Sequence, residues 1–156
     1  FSLVIDDVTK KKVILNHLKN KDIIIPLAAL VGAPLCEKNK KLATKLNVKV
    51  IENICHNLKK KQKIIFLTTN SGYGVGEKKK YCDETSSLRP VSYYGRTKNQ
   101  AEEIIRKRGN QISFRLATVF GFSFRMRTDL LVNFMVLQAF KMVQSGVKFS
   151  KSSLLG

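Results

Sequence analysis

The residues of this chain with the chemistry for proton transfer are Tyr94 and Lys98, within Tyr94-Gly95-Arg96-Thr97-Lys98, and the hydroxyls of Thr68-Thr69-Asn70-Ser71 some twenty-five positions earlier. On a helix, residues four apart share one face, one turn from each other. A Tyr/Lys pair so placed, facing a hydroxyl-bearing strand end, is an arrangement for moving a proton to or from a bound alcohol or carbonyl. The bare spacing also fits a half-buried Tyr on an amphipathic helix with a solvated Lys beside it. In a lysine-rich chain that pattern arises readily by chance. The elements around the pair have to decide.

Those elements alternate. Ser2–Ile5 is short and apolar and runs into Asp6-Asp7-Val8-Thr9, which reads as a strand and a turn, with Thr9 a candidate N-cap for a helix to about Asn20. Val13, Ile14, Leu15 and Leu18 would form that helix's inner face. The β-branched run from Ile23 reads as a strand buried on both faces, and Pro26 ends it, since proline cannot donate to a ladder. Ala28 to Ala33 is mostly small, which suits either close approach of a flat ligand or a tight connection. From about Cys36 to Lys61, Leu42, Leu46, Val50, Ile54 and Leu58 recur every four residues and predict one long amphipathic helix with Asn47 beside its stripe. A strand at Ile64–Leu67, a helix from Ser92 to about Arg108, a strand from Ile112 towards Gly121 and a helix from about Thr128 to Val143 complete the series. An order β-α-β-α-β-α-β-α with uniformly apolar strands predicts an α/β protein: a partial, Rossmann-like, doubly wound parallel sheet with flanking helices. Ligands of such sheets bind beyond the carboxyl ends of the strands, where Asp7, Ala28-Ala29, Thr69 and Thr118 would all fall.

Composition narrows the class. At 156 residues, 44% of them hydrophobic, the chain suits one globular domain, read here over 1–145 with a tail of uncertain structure over 146–156. No run of eighteen apolar residues and no leader pattern occurs, so neither a membrane span nor a signal peptide is expected. Cys36, Cys55 and Cys82 form no C-x-x-C, and His17 and His56 have no partners at ligand spacing, so no metal site is expected and a reducing, cytoplasmic compartment is. The formal charge of +18 comes mainly from lysines clustered at 10–12, 59–61 and 78–80. Without interleaved aromatic residues these read as solvated faces, rather than as a specific nucleic-acid surface.

Taken together, these segments resemble the extended short-chain dehydrogenase/reductases, specifically the NAD-dependent nucleotide-sugar epimerase/dehydratase family, from about Asp6 to about Arg127. Asp7-Val8 matches the acidic-plus-aliphatic pair at the adenine ring, and Leu27-Ala28-Ala29 the strand end along the cofactor. Asn47 matches the Asn of the next helix. Thr68-Thr69-Asn70-Ser71-Gly72-Tyr73-Gly74 looks like S-[ST]-x-x-x-Y-G, and Tyr94 and Lys98 like Y-x-x-x-K. Arg115 to Gly121 is similar to the R-x-x-x-x-x-G segment that closes over nicotinamide and substrate.

The resemblance implies NAD as cofactor, with NADP open, a nucleotide-sugar substrate, and a homodimer as in many relatives. It places Thr69, Tyr94 and Lys98 in the catalytic set. Asp7, Val8, Leu27, Ala28, Ala29, Asn47, Thr68 and Ala117 join Tyr94 and Lys98 at the cofactor, while Thr69, Asn70, Tyr94 and Thr118 contact the sugar. A free tyrosine titrates near 10. In relatives, a neighbouring ammonium and the positive nicotinamide ring favour the phenolate, which takes the proton of a sugar hydroxyl as hydride leaves the same carbon. Relatives that eliminate water carry Asp-Glu after the catalytic Thr, and those that decarboxylate carry Glu two residues after it. Asn70 and Ser71 stand there instead, which favours epimerisation or simple oxidation and reduction over elimination and decarboxylation.

Two family features are not in the sequence: the G-x-x-G-x-x-G turn that cradles pyrophosphate at a helix N-terminus, and the C-terminal sugar-binding portion. The chain therefore reads as an internal piece of a longer enzyme. A catalytically inactive fragment and, less favoured, a basic nucleic-acid-binding domain are the competing readings.

Overall fold

The computed structural model describes residues 3–76, 81–124 and 126–145. They fall into two units, which meet in sequence between Ala117 and Thr118. The domain expected over 1–145 takes in residues of both units, and the tail expected over 146–156 lies outside the described residues.

The first unit is built on a parallel sheet of β1 (Ile23–Ile24), β2 (Lys63–Thr69) and β3 (Gln111–Leu116), in that spatial order. Ile24 pairs with Ile64, and the β2–β3 ladder runs from Ile64↔Gln111 to Thr69↔Leu116. Strand residues alternate faces. Ile64, Phe66 and Thr68 of β2 are therefore buried together, against Ile14 of α1 (Lys11–Leu18), Val50, Ile51 and Ile54 of α4 (Val50–Asn57), and Ala101 and Ile105 of α5 (Tyr93–Arg108). Phe66, only 1% exposed, is the largest side chain of this core. The opposite face carries Ile65, Leu67, Ile112 and Phe114, with Ile112 and Phe114 about half exposed.

The parallel sheet with flanking helices is the architecture the sequence predicts. Three local expectations change. Residues 3–5 form no strand: Leu3 and Ile5 are almost fully exposed and pair with no described strand, and an apolar run without a ladder partner has nothing to hold it extended. Thr9 is not a cap either, because α1 starts after Lys10 without a side-chain cap. The long helix expected over 36–61 is four pieces: α2 (Ala33–Lys38), α3 (Lys40–Thr44), a π-helical segment at Lys45–Lys49, and α4. Asn39, at φ −128° and ψ 54°, breaks the first join. The π-turn widens the helix around Asn47, a device that re-aims a side chain and concentrates at functional sites. Leu42 consequently leaves the buried stripe, while Val50 and Ile54 keep it.

α5 matches its expected span, because Ser92 caps it by accepting from the Gly95 amide at 3.0 Å and Gly109, at φ 78°, ends it. β3 stops at Leu116, where β2 ends opposite it, so the strand expected to reach Gly121 is shorter and Ala117 lies beyond the ladder.

In the second unit, α6 (Leu131–Gln144) follows an Arg127–Asp129 ion pair. Asn133, buried, accepts from the Gly121 amide at 3.1 Å and donates to the Arg127 carbonyl at 3.0 Å, which ties the segment before the helix to its first turn. No described helix is long and apolar enough to cross a membrane.

Candidate functional site

The carboxyl end of β2 and the first turns of α5 form the centre of the first unit's candidate site. Thr69 ends β2 in extended conformation and caps the short 3-10 turn Asn70–Gly72, its hydroxyl oxygen accepting from the Ser71 amide at 3.2 Å. Two residues of α5 hold this turn close. Asn99 Nδ2 donates to the Gly72 carbonyl at 3.2 Å. A Cβ added at Gly95 would lie 3.0 Å from the Ser71 carbonyl oxygen, so the absence of a side chain beside Tyr94 is what admits the turn.

Tyr94 is half-buried and Lys98 buried, the latter 6% exposed. The Lys98 ammonium sits 4.2 Å from the centroid of the Phe66 ring, a cation–π contact inside the core. Burial pulls its pKa down to about 8, against the opposing pull of the Glu102 carboxylate one turn further on. Burial also acts on Tyr94, and here it raises the pKa, with Cys36 adding to the rise. The family resemblance leads one to expect a lowered value. The difference is physical: desolvation disfavours the phenolate, and the cationic ring that would favour it belongs to the cofactor.

Asn47 is the hub between the segment after β1 and the helix. Its carboxamide accepts from the Leu30 amide at 2.8 Å and donates to the Leu30 carbonyl at 3.0 Å. The same Nδ2 donates to the Thr97 hydroxyl at 3.0 Å, and that hydroxyl donates to the Tyr94 carbonyl at 2.9 Å. The Cys36 thiol also donates to the Leu30 carbonyl, at 3.3 Å. The segment after Leu27-Ala28-Ala29 is thereby fastened to the turn of helix that carries Tyr94.

Val8, Leu27 and Ala28 line one apolar groove along β1 with Ile24, Val50 and Ile54. Asp7 is exposed beside this group, its carboxyl held low by the Thr9 amide and hydroxyl. Thr68 faces the core, and its hydroxyl oxygen is buried without a hydrogen-bond partner. Asn70 is exposed on the turn, and Ala117 is exposed just past β3. Thr118 belongs to the second unit.

Sequence reasoning passed over Glu102, Thr97 and Asn99. Glu102 pairs with Arg115 through one oxygen, Oε1, which accepts from Nε at 2.9 Å and lies 2.8 Å from Nη2, while Oε2 is buried without a partner; both side chains are largely buried. Arg115 Nη1 donates to the Tyr73 hydroxyl at 3.1 Å, and the guanidinium lies 5.2 Å from that ring's centroid. The legible signal was the four-residue spacing of Lys98 and Glu102, which puts a second charge on the same helix face.

A buried ammonium without a carboxylate within 4 Å among the described residues, and a buried orphan hydroxyl on Thr68, are donors without acceptors. They fit the ribose hydroxyls of a dinucleotide. The pyrophosphate turn is not part of this sequence, so that portion of a dinucleotide has no counterpart here.

Residues 4–143 match the family described as the RmlD substrate binding domain. The chain belongs to that family. It is an extended short-chain dehydrogenase/reductase with the Rossmann-like fold. Among solved structures it is similar to UDP-glucuronic acid 4-epimerase from Bacillus cereus in complex with NAD, at 24% identity and TM-score 0.71 over 90% of this chain and 46% of that one. It is also similar to dTDP-4-dehydrorhamnose reductase from Bacillus anthracis str. Ames in complex with NADP, at 19% identity and TM-score 0.73 over 86% and 48%. UDP-glucose 4-epimerase from Brucella ovis in complex with NAD matches at 20% identity and TM-score 0.65, over 72% and 37%. The chain thus spans less than half the length of these RmlD-family and epimerase relatives.

Proposed function

We propose that this RmlD-family chain carries the catalytic half-site of an NAD-dependent nucleotide-sugar epimerase, acting through a keto-sugar intermediate. The observation that carries the reading is the packing of the Thr69 turn directly onto the helix turn that bears Tyr94, with a buried Lys98 ammonium one turn on. When bound, NAD would supply the hydride acceptor and a cationic ring.

Every other role falls to the chain. Thr69 hydrogen-bonds the reacting sugar oxygen and holds it in line, and Asn70 contacts the sugar from the turn. Tyr94 takes the hydroxyl proton. Its elevated pKa in the protein alone makes the base dependent on the loaded cofactor, so proton removal begins only once hydride has an acceptor. Lys98, one helical turn after Tyr94, donates to ribose hydroxyls. Val8, Leu27 and Ala28 offer an apolar wall for the adenine end, and Asn47 holds the wall's continuation, Leu30, to α5. With no ionisable side chain at Asn70 or Ser71, neither water elimination nor decarboxylation has its acid or base.

The test is incubation of the full-length protein with NAD and UDP-sugars or dTDP-sugars, followed by NMR of the products. Appearance of the C4 epimer without net NADH supports the proposal. Stoichiometric oxidation or reduction of cofactor would make the chain a reductase or dehydrogenase instead, and inertness towards every sugar with cofactor bound would leave a binding protein. Retention of RNA or DNA with sequence preference at physiological salt would favour the nucleic-acid reading.

A further inference from the structure

The Thr69 turn is short, exposed at Asn70 and Ser71, and held from two sides. The Asn99 bond to Gly72 is one hold. The other comes from beyond the turn, through Tyr73, whose amide donates back to the Asn70 carbonyl at 3.0 Å and closes the turn. Tyr73's hydroxyl and ring are both engaged by Arg115. Arg115 in turn is fixed by Glu102, whose Oε1 accepts from Nε at 2.9 Å and lies 2.8 Å from Nη2, a charge-assisted contact converging on one carboxylate oxygen. Nη1 also reaches the Glu84 carbonyl at 3.4 Å, which draws in the loop after β2. Glu102 is 8% exposed, and a carboxylate that buried is retained only where a cation compensates it.

The consequence is geometric. Glu102 stands on α5 one turn after Lys98, Arg115 on β3 opposite Thr68, and Tyr73 at the end of the turn that Thr69 caps. One ionic clamp therefore joins the three elements that carry or border the candidate catalytic residues.

We propose that Glu102 is a positioning residue which, by holding Arg115 against Tyr73, fixes the Thr69 turn relative to Tyr94 and Lys98. The proposal rests on the reading of Thr69, Tyr94 and Lys98 as the catalytic set, and it concerns side chains that touch neither substrate nor cofactor.

Two variants of the full-length protein test it. Glu102→Gln keeps the shape and one acceptor but removes the charge, and Tyr73→Phe removes only the hydroxyl that accepts from Arg115. The primary readout is amide hydrogen exchange at Ser71 and Tyr73, whose protection comes from the turn itself, with Phe66 and Leu67 of β2 as internal references. Exchange at Ser71 and Tyr73 should quicken about tenfold in both variants, the effect of losing one charge-assisted bond, while β2 keeps its protection. In turnover assays kcat should fall with the KM for the sugar nucleotide little changed, and Glu102→Asp should recover part of the loss. Unchanged exchange at Ser71 and Tyr73, or an equal rise in β2, would overturn the clamp. Faster exchange in the turn of a protein whose wild type turns over no sugar nucleotide would sink the epimerase reading and leave the clamp standing.

Discussion

Asn47 and Thr97 are fifty residues apart in sequence and 3.0 Å apart in space, and their hydrogen bond couples the segment after β1, at Leu30, to the helix turn of Tyr94. The π-helical segment exists around this contact. A regular helix through 45–49 would carry Asn47 beside the apolar stripe, whereas the widened turn buries its carboxamide at 2% exposure with three partners. Replacing Asn47 by Ala strands the Leu30 amide and carbonyl in the interior. The expected loss is about 3 kcal/mol of folding free energy, read from denaturant midpoints at constant m. A loss below half of that would mean that water enters and replaces the carboxamide.

Lys98 sets a pH dependence with a definite sign. Its folded pKa is about 8 against an ordinary 10.5, so between those values the unfolded chain holds the proton that the folded chain has released. Stability from this group therefore rises with pH across that window, and the penalty is complete below it. Lys98→Met in the cofactor-free protein should be more stable than wild type at pH 7 by about 3 kcal/mol, with the gain shrinking towards pH 10. A destabilised Met variant at pH 7 would show that the Phe66 ring compensates the charge.

Tyr94→Phe should leave the fold intact, since burial already disfavours the ionised form and phenylalanine has none. Turnover should fall by roughly 10²–10⁴-fold, the usual contribution of a positioned base. Near-normal activity in this variant would remove Tyr94 from the reaction.

Gly95→Ala sets two effects against each other. Alanine favours a helix over glycine by about 1 kcal/mol, but its Cβ would meet the Ser71 carbonyl and the Pro90 side chain, each at 3.0 Å. The carbonyl is backbone, so the Thr69 turn has to move. Folding stability should change by under about 1 kcal/mol while kcat falls at least tenfold, measured side by side by thermal melting and turnover. Full activity would mean that the turn tolerates displacement.

Phe66→Ala removes the largest fully buried side chain and the ring under the Lys98 ammonium. A loss of about 4 kcal/mol is expected from the cavity, measured by denaturant unfolding. A loss under about 1 kcal/mol would place the core's weight elsewhere.

Much of this protein was legible in its sequence because it depends on local chemistry. The apolar runs at Ile23 and Ile64–Leu67 and the helical pattern from Ser92 to about Arg108 locate β1, β2 and α5, and the Tyr94/Lys98 spacing follows from 3.6 residues per turn. Local patterns do not report partners distant in sequence. Leu3–Ile5 has strand-like composition, yet a strand exists only where a ladder accepts its backbone groups, and none does among the described residues. The four-residue repeat from Leu42 to Leu58 concealed the break at Asn39 and the π-turn, because it is the backbone of Leu30 and the hydroxyl of Thr97 that capture Asn47. In the sequence Glu102 carries no signal of its own, and Arg115 is read only as the start of the R-x-x-x-x-x-G segment. Only the pairing of β2 with β3 and the packing of α5 on that sheet bring them together, and in a buried setting an ion pair fixes orientation as a solvated one does not.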